Sequence, residues 1–185
     1  MRVEIVEDAE GEKPALSFPP DQDFLNLRED PGAIEKIAAA RRYLPLRNFL
    51  TTVNGSDSIF LTASATTRED APAAVSAGLA YEFASQLNLV FADPPYNLDR
   101  KHFADLSLGL KKLLERDSAD SVRAVLRVSS CDFPAQNRSG YCLSIRLVAV
   151  GDSAQHAELR WGLGLARVQQ ALLFRARALK QQAVE

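Results

Sequence analysis

Hydrophobic and polar positions along this chain repeat one pattern twice. A segment with helical spacing is followed by two segments in which apolar and polar residues alternate, first across residues 34–92 and again across residues 100–150. A long amphipathic segment over residues 153–182 follows the second copy. Alternation with a period of two indicates strands with one buried face, whereas helical spacing indicates amphipathic helices. The pattern therefore predicts the order α-β-β-α-β-β-α.

The first unit is expected to begin with two helices. Residues 33–43 form the first, and a second restarts at Pro45 and ends before Asn54-Gly55, a pair that tolerates the left-handed conformation found at helix ends. Four apolar residues of the second helix recur with spacings of three and four, namely Leu46, Phe49, Leu50 and Val53.

Two strands complete the first unit. Residues 58–67 alternate, and a second alternation runs from about residue 80 to residue 92. A loop over residues 68–78 is expected between them. The alanine-rich part of this region is also compatible with a helix over residues 69–85, but from residue 80 onward the residues alternate and lack helical spacing, which favours the strand.

The second unit is predicted to contain a helix over residues 100–115 and a hairpin. Its strands cover residues 121–133 and 141–150, joined by a loop over residues 134–140. The closing helix has an apolar stripe made of Trp161, Leu165, Val168, Leu172, Ala176 and Leu179.

These elements together predict the fold class. Strands with one apolar and one mostly polar face indicate an α+β domain, with an antiparallel sheet of four or more strands and helices mainly on one face. The domain is expected to span residues 34–185. Residues 1–33, in which prolines are interleaved with acidic residues, are expected to form an extended arm.

Composition narrows the environment and the partners. The 185 residues are 46% hydrophobic and 25% charged, as in ordinary globular proteins. A net charge of −2 gives no reason to expect a nucleic acid or an anionic membrane as partner. No apolar run approaches the roughly 20 residues that span a bilayer, and the N-terminus lacks an apolar signal segment, so a cytoplasmic location is expected. Two cysteines and two histidines cannot form a Cys/His zinc site of the usual spacing, and no metal or cofactor is expected.

One loop contains a sequence that is found at catalytic sites. A strand ending at Phe91 runs into Ala92-Asp93-Pro94-Pro95-Tyr96, which resembles the Asp/Asn-Pro-Pro-Tyr motif of S-adenosylmethionine-dependent amino-methyltransferases. The resemblance implies that Asp93 accepts hydrogen bonds from a target amine and that Tyr96 stacks on a flipped base. It covers about ten residues, and the glycine-rich turn that holds the cofactor in that family is not found. Asp-Pro-Pro-Tyr-Asn is also ordinary loop chemistry between a strand and a helix, which is the favoured interpretation.

The hairpin of the second unit provides a candidate ligand-binding cluster. Pairing the apolar faces of its strands fixes the parity of the register, and the shortest symmetric loop places Arg127 opposite Arg146, with Arg123 on the same face. Like charges opposite each other are unfavourable, so either Glu82 or a bound anion is expected to neutralise them. Solvated arginines that splay apart are the alternative. The same register pairs Ser129 with Ser144, and these two serines complete the candidate anion site.

The same register would place Cys131 opposite Cys142. Two cysteines facing each other across a hairpin can form a disulfide or a redox pair. In a cytoplasmic protein two reduced thiols are the expected state.

No convincing nucleophile, paired carboxylate or phosphate-binding loop is found, which favours a binding domain over an enzyme. The leading expectation is a non-catalytic adaptor that acts through protein–protein contact on the polar sheet face. A small acidic protein with this element order resembles the secretion-chaperone type of architecture, in which a partner segment wraps the surface. A homodimer formed through sheet edges or through the last helix is expected. The alternatives are the methyltransferase and a small-anion-binding protein.

Overall fold

The secondary structure follows the predicted pattern and adds elements at the N-terminus. The computed structural model describes residues 1–7, 16–19, 24–70, 81–116 and 121–182. Its elements are β1 (Arg2–Glu7), β2 (Leu16–Ser17), a 3₁₀ helix at Pro31–Lys36, α1 (Ala38–Arg42), α2 (Leu44–Val53), β3 (Phe60–Asp70), β4 (Tyr81–Phe91), a 3₁₀ helix at Pro94–Leu98, α3 (Arg100–Leu114), β5 (Val122–Phe133), a 3₁₀ helix at Pro134–Gln136, β6 (Arg138–Gly151) and α4 (Ala154–Gln182).

The strands form one six-stranded mixed sheet. Five of them are ordered β1-β5-β6-β4-β3, and β2 also pairs with β5. The pairs β3/β4, β4/β6 and β5/β6 are antiparallel, whereas β1 and β2 run parallel to β5. The α+β class is therefore confirmed, but the expectation of a wholly antiparallel sheet is wrong at this edge.

The parallel edge comes from the segment that was expected to be an arm. Within Arg2–Glu7, Val3 is buried in the core and Ile5 packs against it, so the alternation of this short strand matches the sheet. Residues 8–15 and 20–23 of the expected arm lie outside the described residues. The region expected to be a loop or a helix between the first two strands also lies largely outside them, although residues 68–70 belong to β3.

The first predicted helix is interrupted. Ile37 and Tyr43 have extended backbone conformations, with ψ angles of 103° and 101°. They separate the 3₁₀ helix Pro31–Lys36 from α1, and α1 from α2. Because both side chains pack against the core, tertiary contacts override the helical spacing at these two positions. The helices α2, α3 and α4 lie where they were predicted.

The core lies between the helices and one face of the sheet. It combines buried side chains of α2, α3 and α4 with alternate residues of the strands, such as Leu87 of β4, Leu126 of β5 and Ile145 of β6. The predicted stripe of α4 faces this core, with Leu179 partly buried. None of the described helices is long and apolar enough to cross a membrane.

A bulge in β3 changes which residues share a face. Pairing with β4 shifts between Thr62 and Ser64. Phe60 and Thr62 are buried, and Asn54 accepts the Thr62 backbone N–H at 2.8 Å. Ser64 lies beyond the shift, opposite Asn88. Strict alternation along residues 58–67 would place Thr62 and Ser64 on the same face. The bulge adds one residue to the strand, so Thr62 lies on the core side, opposite Leu89, and Ser64 on the other.

Candidate functional site

The sheet face opposite the helices carries a cluster of arginines, here called the arginine face. It consists of Arg123, Arg127 and Arg146 with Ser129 and Ser144. Within β5 the three residues of this set lie at positions of equal parity and therefore point to the same side. The three arginines are exposed, and no described helix covers them. The predicted parity of the hairpin is confirmed.

The predicted register is wrong by two residues. Arg127 lies opposite Ser144, and Arg146 lies opposite Val125. The cause is the loop, which is shorter than predicted: Phe133 pairs with Arg138, so residues 134–137 connect the strands, whereas the prediction assigned residues 134–140 to the loop. Pro134 has no N–H to contribute to a longer ladder and starts a 3₁₀ turn, which ends at Asn137 with a φ of 50°.

The corrected register spreads the three arginines over a triangle. Residues two apart on one strand face are separated by about 6.7 Å, and neighbouring strands by about 4.8 Å. Arg123 and Arg127 are therefore about 13 Å apart along β5, with Arg146 level with the midpoint between them on β6. Diagonal neighbours of this kind remain within reach of long side chains. The repulsion expected for directly opposed arginines is relieved, and Arg146 remains within reach of each of the other two.

Arg123 has an acidic partner that was not foreseen. Arg123 Nη2 donates to Glu4 Oε2 of β1 at 2.6 Å, and both side chains are about half exposed. Glu82, the carboxylate proposed for this role, lies opposite Val150 instead. Glu4 was missed because residues 1–33 were assigned to an arm outside the sheet. Arg146 makes no ion pair with any acid in the part of the chain that the structure describes.

A chain of polar side chains crosses the sheet beside these arginines. Gln86 Nε2 donates to Ser144 Oγ at 2.9 Å, and Ser144 Oγ donates to Asn88 Oδ1. Asn88 Nδ2 in turn donates to Ser64 Oγ at 2.7 Å. The hydrogen bonds join β6, β4 and β3. They fix the orientation of half-buried side chains and leave a rigid polar surface next to the charged groups.

These residues line one open groove of about 610 Å³. Its lining includes all five members of the arginine face, together with Glu4, Val6, Leu16, Gln86, Asn88, Val125 and Cys142. The groove therefore combines guanidinium groups, neutral hydrogen-bonding groups and a few apolar side chains. A carboxylate or another anion is the ligand that guanidinium donors fit best, through paired hydrogen bonds.

The two cysteines lie at the apolar end of the same sheet face. Cys131 is opposite Gly140 and Cys142 is opposite Ser129, so the predicted direct pairing is wrong and the thiols are diagonal neighbours. Both are free and buried, within a small cluster that includes Ala63, Val90 and Phe133. A hydrogen bond with Cys142, together with burial, raises the pKa of the Cys131 thiol. A raised pKa lowers the thiolate fraction and so the reactivity.

The Asp-Pro-Pro-Tyr loop lies apart from the arginine face. Asp93 and Tyr96 line a different cavity, of about 690 Å³. The Tyr96 ring packs on Phe91 and His102, with centroid distances of 5.6 and 4.9 Å. Pro94–Leu98 forms a 3₁₀ helix that is fixed by the buried Asn97, whose side chain bonds both backbone groups of Phe91. These contacts give the loop a structural role.

No three His, Cys, Asp or Glu side chains among the described residues converge on a point where a metal ion could be held. Comparison of the chain with protein-family models, with curated proteins and with solved structures gave no match.

Proposed function

We propose that this protein is a non-catalytic binding domain whose arginine face holds a carboxylate-bearing segment of a protein partner. The observation that carries the proposal is the grouping of Arg123, Arg127 and Arg146 in one groove on a sheet face without helical cover. Among the described residues of the groove, Glu4 is the single acid and pairs with Arg123, while Arg146 makes no ion pair with a described acid. The groove is therefore electrostatically complementary to an acidic partner.

The spacing of the arginines favours a chain segment over a single small anion. Arg123 and Arg127 are about 13 Å apart along β5, a span that one carboxylate or phosphate cannot bridge. An extended acidic peptide offers carboxylates at intervals of about 6.7 Å on one side, which matches the spacing of alternate residues in the sheet. Val6, Leu16 and Val125 provide apolar contacts between the charged positions.

The polar chain beside the arginines supports recognition of backbone groups. Gln86, Asn88 and Ser144 are half-buried and already oriented by mutual hydrogen bonds. Preorganised polar groups lose little conformational entropy when a ligand binds, which increases affinity for a given set of contacts. Arginine guanidinium groups are also less strongly hydrated than ammonium groups and therefore suit interfaces.

A binding titration with an acidic probe tests the proposal. A fluorescein-labelled polyglutamate peptide would be titrated with wild type and with the double variant Arg127→Ala/Arg146→Ala, using fluorescence anisotropy at low salt. We expect the double variant to bind at least about tenfold more weakly, since each charge-assisted hydrogen bond contributes about 1 kcal/mol or more.

A charge-matched control separates the groove from the overall charge. Arg41→Ala/Arg116→Ala removes the same two charges from exposed positions elsewhere, on α1 and just after α3. This control is expected to bind within about twofold of wild type, a difference of less than 1 kcal/mol. Equal losses in both double variants would refute the proposal. Competition by inorganic phosphate as strong as that by polyglutamate would instead assign the groove to a small anion.

A further inference from the structure

The exposed side of α4 carries a row of mostly apolar residues, here called the α4 stripe, in which Gln170 is the one polar member. It consists of Leu159, Leu163, Ala166, Gln170 and Phe174, spaced by three or four residues and therefore aligned along the helix. Leu159, Leu163 and Phe174 are exposed to 62%, 61% and 58%. A row of large apolar side chains in water is unusual for an isolated protein and marks an interaction surface.

The neighbouring helix α3 has no such stripe. Its exposed positions are Lys101, Asp105, Leu108 and Lys112. One leucine among charged residues is normal for a protein surface. The contrast between two helices of the same layer shows that the apolar residues of α4 form a feature of that helix and are not general to the helical side.

We propose that the α4 stripe pairs with the α4 stripe of a second copy of this chain, with the two helices antiparallel. A twofold axis near Ala166 places Leu159 opposite the second copy's Phe174, and Leu163 opposite its Gln170. Large side chains near both ends then meet across the interface, while the small Ala166 allows the helix backbones to approach at the centre. Self-complementarity of this kind is what a twofold interface requires.

The charges along α4 are complementary in the antiparallel arrangement. Glu158 lies near its N-terminal end, and Arg177 is exposed near its C-terminal end. Asp152, just before α4, is paired with His156 of its own chain at 2.6 Å. Arg160, the basic residue of the N-terminal part, donates to the Val150 carbonyl and is held against its own chain. An antiparallel pair therefore brings Glu158 near the second copy's Arg177 and also opposes the two helix dipoles favourably.

The length of α4 and its surroundings provide room for such a contact. The 29 residues of α4 extend for about 43 Å. An open groove of about 920 Å³ runs beside the stripe between α2 and α4, lined in part by Pro45, Asn48, Gly162 and Gln169. The surface that a second copy can cover is therefore wider than the stripe alone.

Light scattering coupled to size exclusion tests whether the dimer forms. We expect wild type to be a dimer at high micromolar concentration and Leu163→Glu to be a monomer with an unchanged circular dichroism spectrum. Leu108→Glu is the matched control, since it introduces the same charge at an exposed leucine of α3, and it should remain a dimer. A wild-type monomer, or a dimer that Leu163→Glu leaves intact, would refute the proposal.

Cysteine crosslinking tests the geometry independently. Ala166→Cys lies near the proposed axis and should form a disulfide between copies under mild oxidation, with loss of two electrons and two protons to the added oxidant. Gln155→Cys, on the same exposed side of α4, should not, because its equivalent in the second copy would be about 34 Å away along the helix. Wild type, with both cysteines buried, provides the background. Crosslinking through Gln155→Cys but not through Ala166→Cys would refute the antiparallel arrangement.

Discussion

Trp161 of α4 donates a hydrogen bond from its indole nitrogen to Ser85 Oγ of β4, over 2.9 Å. Both residues are buried, and the indole ring also packs on Phe83 and Tyr43 at centroid distances of 4.5 and 5.7 Å. Ser85 is the polar residue among the core-facing positions of β4, so its hydroxyl satisfies the indole N–H that burial removes from water. The contact fixes the position of α4 on the sheet.

We expect Ser85→Ala to lower the free energy of unfolding by about 1–3 kcal/mol, because it leaves a buried N–H without an acceptor. Chemical denaturation followed by tryptophan fluorescence measures this change. Ser107→Ala is the control: that hydroxyl is also buried, but it donates to the Phe103 carbonyl of its own helix. Ser107→Ala should lower the free energy of unfolding by less than Ser85→Ala does. Equal decreases in the two variants would contradict the role assigned to Ser85.

The Asp-Pro-Pro-Tyr loop is expected to respond to mutation as a structural element. The Asn97 side chain accepts the Phe91 N–H at 2.7 Å and donates to the Phe91 carbonyl at 2.9 Å. Gly140 packs closely on the Asn97 backbone, since a Cβ on Gly140 would lie 2.4 Å from the Asn97 carbonyl oxygen. Because Asn97→Ala removes both side-chain hydrogen bonds, it should lower the free energy of unfolding by about 2 kcal/mol or more. Asp93→Ala, at an exposed position, should change stability by about 0.5 kcal/mol at most. Thermal denaturation of the two variants gives the comparison.

Asp93→Ala and Tyr96→Ala together test the methyltransferase alternative. A ligand that binds the folded state raises its melting temperature. Because the loop is assigned a structural role, we expect S-adenosylmethionine to leave the melting temperature of wild type unchanged. A rise that Asp93→Ala and Tyr96→Ala abolish would contradict the structural role and favour catalysis at this loop.

The buried thiols should react slowly in the native protein. Cys131 and Cys142 are both inaccessible, and the raised pKa of Cys131 keeps it protonated. We expect a disulfide reagent to modify native protein at least about 100-fold more slowly than denatured protein, because reaction then requires local opening. Absorbance of the released thiolate measures both rates. Rapid modification of one cysteine in the native state would contradict this and favour a redox role.

Most of the secondary structure could be predicted from the sequence, for identifiable reasons. In β4, large apolar side chains such as Phe83 and Leu87 alternate with polar ones such as Gln86, although Ser85 interrupts the apolar positions. In α4 the buried apolar residues, including Trp161 and Leu172, keep helical spacing along the helix. Long periodic segments bury one face each, so their type follows from pattern alone.

The place of β1 and the hairpin register depended on long-range pairing and turn conformation, which the pattern of hydrophobic and polar residues does not contain. β1 is short and acidic, and its place in the sheet is decided by pairing with β5, far along the chain. The hairpin register depended on Pro134 and Asn137, which select a four-residue loop. The parity of the pairing between β5 and β6 could still be predicted from their apolar faces, and it was enough to place Arg127 and Arg146 on one face. Glu4, however, could not be assigned to the site without knowing where β1 lies.

Tyr43 predicts a dependence of stability on alkaline pH. Burial, followed by its 2.5 Å hydrogen bond to Glu69, raises its pKa from the ordinary value of 10.0 to about 12. The folded state therefore holds this proton more tightly than the unfolded state, so stability is retained below pH 10 and decreases as the pH rises from about 10 to about 12. Denaturant midpoints of wild type and Tyr43→Phe should converge or cross over this range. Parallel pH profiles would contradict the assignment.

The two proposed surfaces lie on opposite sides of the protein, which leads to a prediction about stoichiometry. The arginine face belongs to the uncovered side of the sheet, and the α4 stripe lies on the outer side of the helices. A dimer formed through α4 should therefore bind two acidic peptides, one on each copy, without steric conflict. The monomeric variant Leu163→Glu should bind one peptide per chain with the affinity of wild type, because its substitution is remote from the arginines. Isothermal titration calorimetry with polyglutamate measures both quantities. Weaker binding by Leu163→Glu would show that dimerisation and peptide binding are coupled and contradict the independence of the two surfaces.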